Sequence, residues 1–421
     1  MTLGLTECTN CGPGGKQELS PQPYQPDNWE IAFVQDCNLR CGYCYSGHGR
    51  LGRRQAVMDA ETSSRLVDLI AQMSSGRQQI SVLFGAGETF LYFDQAIAFL
   101  DALRKKMRLQ KTSVNVLIPT NGTLATEAQL QACLERHISL TFSIDGEAAG
   151  HDRFRKTAAG EPTHHIALKN WRRYREMVAG LPDGPDCNLY SVVTAKNRLA
   201  EVTAYWREQG VTSFKAVPAQ PPTVASAASL AEARKFQAEF LADMEQLALS
   251  ASLRLRGRPL AEVASAPSAL VRQWKILSRS DSFSSCGAGY TSIGVDAVGN
   301  LYPCLLFIGH EQHILGNLSS GLEPAKVAAF REARARANAA CSQCWARFLC
   351  HDGCCASDPE AGVSVNARGE CEFMRSFSEI AIRSYQSWCD GRPSDATKVP
   401  ATCPASLPQP ASSGNINLGE A

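Results

Sequence analysis

Six times between residues 30 and 250, a short apolar run gives way to a stretch with apolar residues at three- and four-residue spacing. "WEIAFVQ" precedes "AETSSRLVDLIAQM", "QISVLFG" precedes "FDQAIAFLDALRKKM", and "SVNVLIPTNG" precedes "ATEAQLQACLERH". "SLTFSIDG", "CNLYSVVT" and "VTSFKAVPA" then precede "HHIALKNWRRYREMV", "RLAEVTAYWREQ" and "ASLAEARKFQAEFLADMEQLAL". The first kind of run reads as strand and the second as amphipathic helix. Their alternation implies an α/β fold: a parallel sheet with crossover helices. Six units suit a partial (βα)6 barrel or a doubly wound sheet. In either, ligands gather at the carboxyl ends of the strands.

What sits at those ends is informative. The first strand runs into "CNLRCGYCY", with Cys37, Cys41 and Cys44 on one loop. The later ends read "FGAGET", "PTNGT", "SIDG", "VVTAKN" and "AVPAQ". These are short polar and glycine-rich segments that bind small polar ligands through backbone and short side chains. From about residue 280 the alternation is lost. A second domain begins there, dense in glycine and cysteine.

The chain holds 17 cysteines, bunched at 37–44 and 286–371. No charged n-region followed by an apolar run marks the start as an export signal, and the cysteine count is odd. Disulfide scaffolds spread their cysteines, whereas metal sites bunch them. Thiolate-bound metal in a reducing, cytoplasmic compartment is the reading adopted. The net charge of +1 gives no basic excess for nucleic acid, and no apolar run is long enough to span a membrane.

Three thiolates on a short loop can grip one face of an iron–sulfur cube and leave one iron without a protein ligand. The alternative is a zinc site that borrows a fourth ligand such as His48. Taken singly, Ser143 and Asp145 read as turn residues, Arg155 as a solvated charge and Glu88 as a helix cap.

The pattern Cys37-x3-Cys41-x2-Cys44, with Tyr43 before the last cysteine, resembles the signature of the radical S-adenosylmethionine (SAM) enzymes. The resemblance implies a partial (βα)6, TIM-like barrel whose open iron chelates SAM. One electron would break the sulfonium bond, and the 5′-deoxyadenosyl radical so formed would take a hydrogen atom from substrate. "GAGET" stands where the family has Gly-Gly-Glu-Pro. One residue is inserted and the proline is lost, but Gly85, Gly87 and Glu88 remain to hold the SAM amino group. Ser143 and Arg155 fit the spacing by which the peptide-modifying branch reaches the SAM carboxylate, a charge-assisted contact. Tyr43 and Asn121 join this cofactor-binding set. Asp145 is the candidate catalytic base, with Asn121, Lys215 and His48 as further candidates.

The second group, C-x12-G-x4-C from Cys286 to Cys304 followed by a CX2CX5CX3C run, looks like the SPASM domain with two auxiliary iron–sulfur clusters. Structural zinc is the alternative here too. The resemblance assigns Cys341, Cys344, Cys350 and Cys371 to the distal cluster and Cys286, Cys304 and Cys354 to the nearer one. Relatives place a further cysteine shortly after the first. Ser292 stands about there in this chain, which leaves the nearer cluster one ligand short. A substrate cysteine, or Cys355, Cys8 or Cys11, could complete it; Cys355 could equally be a buried bystander.

The expected organisation is an irregular arm at 1–28, the barrel at 29–255, a linker helix region at 256–280, the SPASM domain at 281–390 and a flexible tail at 391–421. About thirty residues before the first strand are too few for a winged-helix leader-binding module. A precursor peptide would then be recognised by a separate leader-binding protein, the SPASM domain or the arm. An electron donor such as flavodoxin or ferredoxin would be a second partner. The expected reaction is a thioether, carbon–carbon or ether cross-link in a ribosomally made precursor peptide. The alternatives are anaerobic sulfatase maturation and, outside catalysis, a zinc or electron-transfer protein.

Overall fold

The structure, a computed structural model, describes residues 24–51, 55–211, 213–219, 227–254, 268–278, 286–358, 362–364 and 370–390. The tail, Cys8, Cys11, most of the arm and most of the 256–280 linker lie outside the described residues.

Twelve strands are described: β1 (Asn28–Ile31), β2 (Val34–Gln35), β3 (Ala56–Val57), β4 (Gln79–Phe84), β5 (Ser113–Thr120), β6 (Ile138–Ser143), β7 (Cys187–Val193), β8 (Lys215–Pro218), β9 (Ser292–Val295), β10 (Asn300–Tyr302), β11 (Gly316–Asn317) and β12 (Gly321–Leu322). The helices are α1 (Ala60–Met73), α2 (Phe93–Leu109), α3 (Glu127–Glu135), α4 (Ala148–Phe154), α5 (His164–Val178), α6 (Leu199–Glu208), α7 (Ala227–Arg254), α8 (Ser268–Leu277), α9 (Pro324–Ala337), α10 (Arg347–Cys350) and α11 (Glu370–Cys389).

The large sheet runs β12-β11-β10-β9-β1-β4-β5-β6-β7-β8. From β1 to β8 neighbouring strands are parallel and follow chain order, as an open (βα)6 barrel requires. One face of each strand is apolar and packs on the helices: Ile80, Val82 and Phe84 on β4, and Ile138, Leu140 and Phe142 on β6. The helices answer with matching stripes, such as Leu66, Val67, Ile70 and Ala71 on α1. The inner face alternates with it and is more polar. Ser143 pairs with Tyr190 and Tyr190 with Lys215, so these three lie in register across β6, β7 and β8.

Two features differ from the sequence reading. The run "WEIAFVQ" is not one strand. It leaves the sheet at Ala32–Phe33, and β2 pairs antiparallel with β3 to clamp the base of the cysteine loop. The cysteine-rich segment also joins the large sheet. β9 pairs parallel with β1 over four residues, Asn28↔Ser292 to Ile31↔Val295, and β10, β11 and β12 continue antiparallel from it. After the second cysteine group α11 returns to pack along α7 and α8, where the Trp274 indole donates to Ser384 Oγ at 3.0 Å.

Candidate active site

The carboxyl ends of the strands carry one interlocked loop cluster. The segment Cys37–Cys44 lies against the end of α4: Arg40 N–H donates to Lys156 O (2.7 Å) and Gly42 N–H to Phe154 O (3.1 Å). The three thiols are half-buried, and no disulfide ties up any cysteine among the described residues. Polar hydrogens point at their sulfurs. Leu39 N–H lies 3.4 Å and Asn121 Nδ2 3.8 Å from Cys37 Sγ, and His48 N–H lies 3.2 Å from Cys44 Sγ.

Burial pushes the Cys37 thiol up to about 12, and the nearby Glu88, Cys41 and Cys44 add to the shift. Burial also raises Cys41, against the pull of Arg155. Buried thiols such as Cys37 and Cys41 favour the protonated form until a cation shares the site. The donor set therefore fits an iron–sulfur cluster: three soft ligands, N–H groups aimed at their sulfurs and a fixed positive charge alongside. Among the described residues no three metal-ligating side chains converge on one ion-sized point. A cube takes each thiolate at a different corner.

Asp145, just past β6, is the hub of the site. Its Oδ1 accepts from Val192 N–H (2.8 Å), and its Oδ2 accepts from Arg155 Nε (3.0 Å) and the Tyr43 hydroxyl. The Asp145–Arg155 pair is closed to water, the side chains being 1% and 9% exposed. The guanidinium also lies over the Tyr43 ring, 5.3 Å from its centroid, and reaches Cys41. Arg155 is thus no solvated charge but the link between the cysteine loop and β6. Three donors, one of them the guanidinium of its ion-pair partner Arg155, hold the Asp145 carboxylate in place.

Beneath it lies His151, which the sequence did not single out. Thr163 Oγ1 donates to Arg155 O (2.6 Å), so its oxygen accepts from His151 Nε2–H (3.1 Å). His151 Nδ1 then accepts Asp145 N–H at 3.3 Å. A second ring proton would face that N–H. Burial, then Arg155 and His164, drives this imidazole down to about 3.

Glu88 is buried at 2% exposure. Its carboxylate accepts from Thr120 Oγ1 (2.8 Å), Asn121 N–H (2.8 Å) and Phe90 N–H (3.2 Å), joining the ends of β4 and β5 and capping the short 3₁₀ turn Thr89–Tyr92. Gly87 has no room for a side chain, since a Cβ would lie 2.2 Å from Asp36 O and 2.3 Å from Val34 O. Gly85 receives Leu305 from the second cysteine region; a Cβ there would meet Leu305 Cδ2 at 2.3 Å. Asn121 donates to Asn38 Oδ1 (2.9 Å) and, through its own oxygen, accepts from Thr123. Ser143 ends β6 half-buried on the inner face. Lys215 sits with its ammonium 5.3 Å from the Tyr190 ring centroid. His48 takes a left-handed backbone (φ 64°), and its N–H rather than its ring serves the cysteine loop.

The second group falls into two sets. Cys341, Cys344, Cys350 and Cys371 lie within one another's electrostatic reach, with Arg375 on Cys344. Cys286, Cys304 and Cys354 form the other. Glu30, on the inner face of β1 and not anticipated, ties this set to the barrel: its Oε2 accepts Leu305 N–H at 2.7 Å.

Residues 31–183 match the family model described as the radical SAM superfamily. With the open barrel and the three-cysteine loop at its carboxyl end, this makes that part of the chain a radical SAM domain. In sequence, the chain is 30% identical over 135 residues to the serine-type anaerobic sulfatase-maturating enzyme of Bacteroides thetaiotaomicron, covering 30% of this chain and 31% of that enzyme. It therefore matches about a third of the length of that relative. In fold, it resembles histidine-tagged anSMEcpe with bound AdoMet, with TM-score 0.72 and 18% identity over 88% of this chain and 97% of that one. It also resembles Streptococcus suis SuiB bound to precursor peptide SuiA, with TM-score 0.50 and 17% identity over 82% and 76% of the two chains. Among the described residues no helix is long and apolar enough to cross a membrane.

Proposed function

We propose that this chain is a radical SAM peptide maturase that installs a thioether, carbon–carbon or ether cross-link in a ribosomally made precursor peptide. The observation that carries the reading is the loop of three unbridged thiols with polar hydrogens aimed at its sulfurs, set at the mouth of a barrel with a polar inner face. A cluster bound there would supply the one-electron chemistry that turns SAM into a hydrogen-abstracting radical. In this reading Cys37, Cys41 and Cys44 hold the cluster. Gly85, Gly87, Glu88, Asn121, Tyr43, Ser143 and Arg155 shape the seat for SAM. The half-buried Ser143 hydroxyl offers a direct contact, while Glu88 and Arg155 act by fixing the loops.

The precursor peptide lies along the inner face of β6, β7 and β8, past Ser143, Tyr190 and Lys215. Residues 29–255 form the catalytic barrel and 281–390 the SPASM domain. Cys341, Cys344, Cys350 and Cys371 hold a distal auxiliary cluster, and Cys286, Cys304 and Cys354 serve a nearer one. Cross-linking removes two hydrogens from the peptide. One would leave as an atom, and the second as a proton released to water and an electron that the auxiliary sites would accept. A flavodoxin or ferredoxin supplies the reducing electron, and a separate leader-binding protein presents the peptide in the cytoplasm.

Sequence similarity to a sulfatase-maturating enzyme favours a second reading, oxidation of a serine or cysteine to formylglycine. Cross-linking and serine oxidation both lower the peptide mass by two hydrogens, so mass alone does not separate them. The test is air-free incubation of reconstituted protein, SAM and reductant with small peptides encoded beside its gene and with a sulfatase-derived peptide, followed by a hydrazide probe. A product two hydrogens lighter and unreactive with hydrazide is expected. Hydrazide-reactive product from the sulfatase peptide alone would replace the first reading with the second.

A further inference from the structure

The missing cysteine of the nearer auxiliary set can be traced in the fold. Ser292, which stands about where it would be, is built into the sheet as the first residue of β9, opposite Asn28. Its Oγ accepts from Asn28 Nδ2 at 3.1 Å, its carbonyl takes the Tyr24 hydroxyl, and it is only 8% exposed. Gly287 presses on the same oxygen; a Cβ there would lie 2.5 Å away. The serine hydroxyl is therefore spent on the β1–β9 joint.

Another sulfur has taken the place beside Cys286. Cys355 is 1% exposed in a buried cluster against which both Cys286 and Cys304 pack. It also lies within electrostatic reach of Cys304, which in turn is within reach of Cys354. Both partners are held by backbone. Arg334 bonds the carbonyls of Cys286 (2.5 Å) and Ala288 (2.6 Å), and Ser364 N–H bonds the carbonyl of Cys355 (3.2 Å). Gly294 admits the Cys304 backbone so closely that a Cβ would meet it at 2.6 Å. Leu305, Phe307, Val327 and Phe330 pack in one cluster with Cys355; Cys286 and Cys304 lie against it, and Cys354 stands at its exposed rim.

We infer that Cys355 is the fourth ligand of the nearer auxiliary cluster, which Cys286, Cys304, Cys354 and Cys355 close completely. The inference rests on the iron–sulfur reading of the second cysteine group. It has a consequence for chemistry: with four thiolates the cluster presents no iron to a substrate thiol. It then serves to accept an electron and not to hold the peptide.

The test uses the full chain, reconstituted without air, saturated with SAM so that the first cluster is occupied, then reduced and titrated with cyanide. Electron paramagnetic resonance and iron content are the readouts. The wild type is expected to show auxiliary signals that cyanide does not move. Cys355→Ala is expected either to lose about one iron per chain, from a four-iron to a three-iron cluster, or to keep the iron and respond to cyanide. A cyanide-induced shift of the wild-type auxiliary signal would overturn the inference, and needs no variant to fold. So would a Cys355→Ala protein whose spectrum and iron match the wild type with and without cyanide. Iron content unchanged in Cys286→Ala/Cys304→Ala would remove the cluster itself, and with it the reading beneath.

Discussion

At the scale of single residues, Asp145 and Arg155 show how a motif residue can serve a site by fixing it. The spacing in the sequence pointed to both, but not to the partners that define their roles. Val192, Tyr43 and His151 reach Asp145 from other elements, and no local pattern announces such contacts. If Asp145 anchors the site as an ion-pair partner, Asp145→Asn leaves the buried Arg155 without its counter-charge. The variant should lose about 3–5 kcal/mol in urea unfolding. A free general base at this position would instead give a variant of unchanged stability.

His151 adds a pH dependence. Its folded value near 3 lies below the ordinary 6.5, so its contribution is whole above pH 6.5 and is lost as pH falls. Between pH 6.5 and 5 the wild type should lose about 2 kcal/mol that His151→Gln does not lose, read from paired urea midpoints at each pH.

At the scale of elements, the six strands and their helices were legible because periodicity is a local property. The breaks were less so. The long first run splits because its last residues turn out of the sheet to clamp the cysteine loop. Arg155 sits at the end of α4, a short helix hidden between two stretches of clearer pattern. "GAGET" was legible as a special segment, but its reason is steric. Gly87 lies against two backbone carbonyls, and Ala86 between the glycines already takes φ 80°. Gly87→Ala should cost about 1–3 kcal/mol through overpacking and displace the cysteine loop. The checks are thermal unfolding and the iron retained after reconstitution, both of which should fall. Full iron loading at wild-type stability would show that the loop tolerates what the geometry forbids.

At the scale of the whole molecule, the joint between β1 and β9 was invisible in the sequence. The two strands are more than 250 residues apart, and β9 is four residues of unremarkable pattern. Yet the joint makes the second cysteine region part of the barrel's own sheet, with Glu30, Gly85 and Leu305 locking across it. A chain ending at residue 280 would expose β1 as an unpaired edge and uncover Gly85. It should aggregate where the full chain stays monodisperse, as size-exclusion chromatography would reveal.

The proposed function requires the barrel to carry a cluster with an iron free for SAM. Reconstituted without air, reduced and given SAM, the protein should bind about twelve irons per chain, three cubes' worth, and release 5′-deoxyadenosine. Replacing Cys37, Cys41 and Cys44 by Ala should abolish that release. A colourless, zinc-loaded protein that forms no 5′-deoxyadenosine would exclude this function.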